Sequence, residues 1–480
     1  MDSLYYPIII IGAGSSGLLI ANGLAQSRKR VLLIDKGTYG ENETNASCIP
    51  RKALIDVSSV AYNFQYAKNY GLQYELKNFD ANDSLAYIQN IISSFQKNSS
   101  QKHLNSLNID TLHGEAHFIS PHILDVTQNN QETIRVRGKN IVIATGAIPS
   151  TPSIEGLENI SYLTHKTIFK QNEIPESLAI LGGDSIGCEI AQAFQRLGSK
   201  TLLVEPKESL LSQEEPEAQK IISSCFEEEN IHVYSQHDIC KIQAKDNKII
   251  LSLSNKSTKK ILPRIVSHLF IATEKKPNLD ALNLNTAHVD YTCKGIHTDI
   301  YGRTSQKHIW AVGSCTGSEQ FTHVAEHKAH TILLNLLLPR FLIKRLDCKQ
   351  AIPRITFTSP ELASIGLTEK AAIEKYGKNQ LAIYLTPFRG LDRSMITDHS
   401  EGLVKIITKK WRSKILGATI VAPNASEMIT QIGTAMHGNI PLRKLATLIH
   451  PYPSYSLAIR KTAEQWLSQT ILPRVNKWLS

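Results

Sequence analysis

Residues 8–35, IIIIGAGSSGLLIANGLAQSRKRVLLID, constrain the fold more than any other stretch of this chain. The isoleucine run Ile8 to Ile11 has no polar face, which fits a parallel strand covered on both sides. Gly12, Gly14 and Gly17 follow at G-x-G-x-x-G spacing. Gly12 permits a tight turn, Gly14 a close approach of backbone to a pyrophosphate, and Gly17 close packing of helix on strand. Leu18 to Ala25 predicts a helix whose first amides face that phosphate, and Val31 to Ile34 a second strand. Asp35 ends that strand, where a carboxylate accepts from a ribose hydroxyl.

The same pattern returns in Ser177 to Glu205, SLAILGGDSIGCEIAQAFQRLGSKTLLVE. Gly182 repeats Gly12, Gly187 repeats Gly17 and Glu205 repeats Asp35, whereas Asp184 stands where the first copy has Gly14. An internal repeat of this kind predicts an α/β protein with two Rossmann-like nucleotide-binding domains, one inserted in the other. The 480 residues leave room for a third domain. The net charge of +10 is spread along the chain, with no basic block interleaved with aromatics, so it does not point to nucleic acid. Seven cysteines without C-x-x-C or metal-ligand spacing predict a reducing, cytoplasmic setting and no metal site. No signal peptide is read at the N-terminus, and the apolar run Ile332 to Leu338 is too short for a bilayer.

In Gly40 to Leu54, GENETNASCIPRKAL, Pro50 predicts a helix start with Cys48 just before it, where the dipole stabilises a thiolate. This stretch resembles the active-site segment of the class I pyridine nucleotide-disulfide oxidoreductases, the family of dihydrolipoamide dehydrogenase, glutathione reductase and mercuric reductase. Cys48, Ile49, Pro50, Lys52, Ala53 and Leu54 match it, but the position of the first cysteine of the family's pair holds Glu43. Further matches follow in order. Gly114 and Ala116 fall in the FAD adenine segment, and Ala144, Thr145, Gly146 and Pro149 at the exit from the FAD domain. Phe270 to Asn278 matches the second crossover, with Glu274 for a glycine. Gly313 and Ser314 lie in the ribityl segment, Ser314 replacing an aspartate, and Thr322 is counted with the flavin contacts. Ile352 to Glu369 opens the dimerisation domain, which Gly402 to Ile429 continues in a strand-like alternation. The resemblance implies an FAD domain in residues 1–152 and 279–347, an NAD(P)-binding domain in 153–278, and an α+β interface domain in 348–465 with a tail at 466–480.

The resemblance also assigns roles. Lys52 and Glu189 form an ion pair beside the flavin N5. In Ile449 to Ala463 the family's catalytic His becomes Tyr452 and the Glu that orients it becomes Leu457, with His450 two residues before Tyr452. A disulfide reductase needs two sulfurs, and Glu43 cannot exchange thiols; Cys315 is the one cysteine that the fold could bring near Cys48. Ionising Tyr452 as a base would cost about 5 kcal/mol more than deprotonating a histidine. Asp184 puts a like charge near the dinucleotide, a penalty of roughly 1 to 4 kcal/mol. Glu205 favours NADH over NADPH. The tail, Trp466 to Ser480, carries Trp466 and Trp478; packing on the dimer is expected, with a membrane surface the alternative.

These residues predict a homodimeric flavoenzyme that draws electrons from NAD(P)H through FAD and passes them to a small-molecule acceptor other than a disulfide. Cys48, Lys52, Glu189 and Tyr452 are its catalytic candidates. A non-enzymatic relative serving as a scaffold is the alternative, and a true disulfide reductase a third.

Overall fold

The computed structural model describes residues 3–37, 39, 48–72, 80–97, 99–272, 275–317, 321–346 and 351–473. Glu43, Glu274, Cys348 and Trp478 lie outside the described residues.

The isoleucine run is the middle of a seven-stranded sheet. Strand Leu4–Ile11 runs parallel to Val31–Asp35 on one side and to Thr133–Ile143 on the other. Its side chains alternate into two cores: Ile8 and Ile10 pack with Ile20 and Leu24 of helix Ser15–Gln26, while Ile9 and Ile11 pack with Phe118, Leu124 and Val126. Burial on both faces is why the run carries no polar position.

The chain leaves this sheet at Ile143 and returns at Ile309–Ala311, which pairs parallel with Thr133–Ile143. Between these points it builds a second parallel sheet, ordered His232–Ser235, Lys200–Glu205, Ser177–Leu181 and His268–Ile271. The outgoing and returning segments meet as a short antiparallel pair, Ala147–Pro149 with Lys275–Pro277. That pairing holds the mouths of the two parallel sheets at one place.

A third sheet is antiparallel and five-stranded: Pro353–Thr356, Glu361–Gly366, Ile415–Ala422, Leu403–Lys409 and Leu381–Pro387. The expected alternation over 402–429 is not found. Ile415–Ala422 is buried at every position, and Leu403–Lys409 at all but its last. Helices Ala425–His437 and Pro216–Glu228 both pack on Ile415–Ala422, so neither face meets water, and the last residues of the stretch belong to the first of these helices.

The described part of the tail packs on its own chain. The Leu457–Trp466 helix runs on into Leu467–Ile471, Trp466 packs against the third core, and Thr470 shares a buried 2.8 Å hydrogen bond with Tyr384.

Candidate functional site

The first glycine loop is shaped by close approaches. A Cβ on Gly12, whose φ is +109°, would lie 2.3 Å from Ala144 O, and one on Gly17 1.9 Å from Gly12 O. Gly14 differs: its backbone is extended and a Cβ there would meet nothing within 4 Å. The space over Gly14 is open at the start of the Ser15–Gln26 helix, where no side chain caps the first amides. An anion seated there would meet those amides and the positive end of the helix. Asp35 closes the loop from the next strand, accepting from Ala13 N at 2.5 Å and from Gly37 N at 2.7 Å.

Two adjoining cavities run from this loop. One, of about 270 Å³, is lined by Gly12, Gly14, Asp35, Ala116, Thr145 and Gly146 among others. The other, of about 60 Å³, shares Gly14 and Gly146 and continues to Gly313, Ser314 and Thr322. The residues expected to hold FAD, apart from the packing glycine Gly17 and the ion-pair lysine Lys52, therefore line one continuous groove.

The second loop copies the first. Gly182 has φ +113°, a Cβ on Gly187 would lie 1.8 Å from Gly182 O, and Glu205 accepts from Gly183 N at 2.6 Å and Lys207 N at 2.8 Å. Asp184 takes the backbone of Gly14, φ −79° and ψ −178° against −71° and −179°. Its side chain caps nothing, is 53% exposed, and sits 3.6 Å from Lys207 Nζ. The carboxylate is thus partly neutralised and in high dielectric, which puts its expected penalty at the low end.

Cys48 is the N-cap of helix Ile49–Tyr66, as Pro50 predicted. Its Sγ lies 3.5 Å from Thr322 Oγ1, so the second helix that borders the groove touches it. It is not disulfide-bonded to any described cysteine. Cys315 does not serve as its partner: that buried thiol donates to Val312 O and Ile143 O instead, and burial pushes it up to about 11.

One turn into the same helix, Lys52 Nζ donates to Glu189 Oε2 at 2.9 Å, joining residues 137 apart in sequence. Glu189 is 1% exposed and its other oxygen accepts from Phe357 N at 2.8 Å. Lys52 also stands 3.6 Å from the centre of the Phe357 ring. Burial pulls its ammonium down to about 8, against the opposing pull of Glu189. The sequence reading missed Arg51, which brings a second cation to Glu189; its charge inside the I-P-x-K segment was the available signal.

Tyr452 stands apart from this cluster, 71% exposed on the third unit. Leu457 offers no carboxylate, but Asp392, about which the sequence was silent, accepts from the Tyr452 hydroxyl and raises its pKa. His450 does not replace the missing base. Only 9% exposed, its Nδ1–H donates to Leu448 O at 3.0 Å and its Nε2 faces the Gln431 amide at 3.0 Å, so both nitrogens are used.

With this geometry in view, comparison with known proteins is decisive. Residues 6–329 match the family model for pyridine nucleotide-disulphide oxidoreductases, and residues 352–463 the model for that family's dimerisation domain. The chain belongs to this family. The oxidoreductase is 30% identical over 465 residues to a mercuric reductase of Streptomyces lividans, with 96% of each chain covered. It is 28% identical over 454 residues to dihydrolipoyl dehydrogenase of Bacillus subtilis, with 94% of this chain and 96% of the relative covered. Its fold is shared with HOCl-induced flavoprotein disulfide reductase RclA from Escherichia coli, at a TM-score of 0.84 and 24% identity over 96% of this chain and 99% of that one. Members of the family are FAD-dependent and use NAD(P)H, and the dimerisation domain supports a homodimer. The open cradle over Gly14 and the groove beyond it fit such a cofactor. Among the described residues no helix is long and apolar enough to cross a membrane.

Proposed function

We propose that this oxidoreductase takes electrons from NAD(P)H through FAD and delivers them to an acceptor that is not a disulfide, such as a quinone, a metal ion or oxygen. The observation that carries the reading is the surroundings of Cys48. Its sulfur meets a threonine hydroxyl, the nearest sequence position for an exchange partner is Glu43, and Cys315 is committed to two carbonyls. One thiol can form a mixed disulfide, but among the described residues no second sulfur is paired with it to resolve one.

FAD, when bound, would accept a hydride and release its electrons in ones or twos. The chain's own residues do the rest. Gly12, Gly14 and the uncapped helix start seat the pyrophosphate, and Asp35 takes the ribose. Thr145, Gly146, Gly313, Ser314 and Thr322 wall the groove. Lys52, braced by Glu189 and Phe357, offers a fixed N–H at the reacting edge. Gly182, Gly187 and Glu205 form the corresponding seat for the nicotinamide dinucleotide. Tyr452, whose one phenolic proton is donated to Asp392, supplies no base to this cluster. The mercuric reductases among the relatives and the copper(II) complex of RclA make metal ions one acceptor class to assay.

The test is an anaerobic absorbance titration of the purified protein with NADH and with NADPH. A yellow protein bleached by either is expected, together with no thiol release from lipoamide or glutathione disulfide. A colourless protein would move the reading to the scaffold alternative, and robust thiol release would return it to the disulfide reductases.

A further inference from the structure

Arg51 occupies the variable position of the I-P-x-K segment and meets the same carboxylate oxygen as Lys52. Its Nε lies 2.8 Å from Glu189 Oε2, where Lys52 Nζ lies at 2.9 Å. The Arg51 side chain is 12% exposed. Its Nε–H is not aimed at the oxygen and its buried Nη1 has no hydrogen-bond partner, so the contact is charge attraction without a hydrogen bond. Phe357 N donates to Glu189 Oε1, and both cations share the other oxygen, Oε2.

The groups around Lys52 come from five segments of the chain. Arg51 and Cys48 belong to its own helix segment, and Glu189 to helix Ser185–Arg196. The Phe357 ring follows strand Pro353–Thr356. Glu361 begins the next strand, with Glu427 beyond it on helix Ala425–His437.

We propose that Arg51 is a positioning residue of this site: by taking a share of Glu189 it leaves the Arg51–Lys52–Glu189 cluster one positive charge in excess and makes Lys52 the member that gives up its proton. The consequence for electron transfer rests on the flavin reading above, since the excess charge would favour negative charge on the neighbouring cofactor edge and on Cys48. The charge balance itself does not need that reading. A lysine paired one-to-one with a buried carboxylate keeps its proton to high pH. Dividing the carboxylate weakens that hold, and a second cation adds repulsion. Arg51 acts on Lys52 in the same direction as burial, and Glu189 only partly offsets them. A guanidinium does not give up its own proton in a protein, so the titration falls on Lys52.

The test is acylation of Lys52 by acetic anhydride as a function of pH, read by peptide mass spectrometry. It is run on the protein as purified and again after any flavin has been removed, with flavin content measured separately. In the native protein the rate should follow a midpoint near that of a depressed lysine. In Arg51→Met the midpoint should rise by about one pH unit, so that labelling at pH 8 falls about fivefold. Arg51→Lys should keep most of the native midpoint. Arg51→Gln serves in place of Arg51→Met if the latter does not fold. An unchanged midpoint in a folded variant, with only the melting temperature lowered, would mean that Arg51 is a brace and overturn the proposal. A colourless protein with the shifted midpoint keeps this inference and sinks the flavin reading; a yellow protein with an unshifted midpoint does the reverse.

Discussion

Gly14 and Asp184 share one backbone conformation and differ in what a side chain there would face. No protein atom lies within 4 Å of a Cβ on Gly14, so Gly14→Asp should fold normally. It should nevertheless lose flavin, because the new carboxylate enters the cradle at the helix start; the absence of the flavin absorbance band from purified, folded variant is the expected observation. Asp184 already carries such a charge in the second loop, but half-exposed and beside Lys207. An exposed carboxylate 4 Å from a phosphate charge costs about 1 kcal/mol, which is about fivefold in affinity. Asp184→Gly should therefore tighten NADH by no more than about fivefold, and the gain should shrink at high salt as screening removes it. Titration of both proteins at two ionic strengths measures this, and equal affinities at low salt would place the carboxylate's field outside the dinucleotide site.

Between elements, the inserted unit is bolted to the third sheet by ion pairs. Lys405, in strand Leu403–Lys409 and 2% exposed, holds Glu215 at 2.8 Å, Glu217 at 2.8 Å and Glu369 at 2.8 Å. Burial alone would lower its pKa, but hydrogen bonds to Glu215, Glu217 and Glu369 outweigh it and hold the ammonium above its ordinary range. Arg354, in strand Pro353–Thr356, likewise grips Glu214 of the inserted unit with two hydrogen bonds at 3.0 Å and 3.3 Å. Removing one partner of a buried pair leaves the other charge stranded. Lys405→Met should thus cost about 3–5 kcal/mol, because Glu215 is 2% exposed. Glu217→Gln should cost less than about 1 kcal/mol, because that carboxylate is 42% exposed. Urea unfolding of both variants checks the contrast, and equal losses would show that the cluster is not organised around the Lys405–Glu215 pair.

For the whole molecule, half-buried histidines shape the response to acid. Partial burial lowers His268 and His308, and His308 stacks on His122 with ring centres 3.7 Å apart. His308 Nε2–H donates to Pro121 O at 2.8 Å, and His122 also pushes its pKa down. A folded-state pKa below the unfolded value means that folding favours the neutral ring. The stability this contributes is complete above the unfolded value of about 6.5 and is lost as pH falls below it. Urea midpoints should therefore drop between pH 7.5 and pH 5.5. His308→Gln, which keeps a donor for Pro121 O and cannot be protonated, should flatten that slope, and an unchanged slope would remove the stacked pair from the account.

Much of the nucleotide-binding frame was legible from residue types alone. Gly12, Gly17, Gly182 and Gly187 each sit where a Cβ would enter backbone, so a short pattern suffices to specify the turn. Asp35 and Glu205 end strands whose register is dictated by unbroken apolar runs. The long-range pair Lys52–Glu189 was implied by the family resemblance alone, since nothing local joins positions 137 apart in sequence. Directions of side chains were not legible in this way, since they depend on neighbours far away in sequence. Only the tertiary structure set Arg51 and Lys52 on one oxygen, paired Asp184 with Lys207, and gave Tyr452 its partner Asp392. It also locked His450 against Gln431, turned Cys315 from Cys48, and covered both faces of Ile415–Ala422, replacing the expected alternation. Backbone geometry is written locally in glycines and apolar runs, whereas charge balance and hydrogen-bond choice arise from what the fold places alongside.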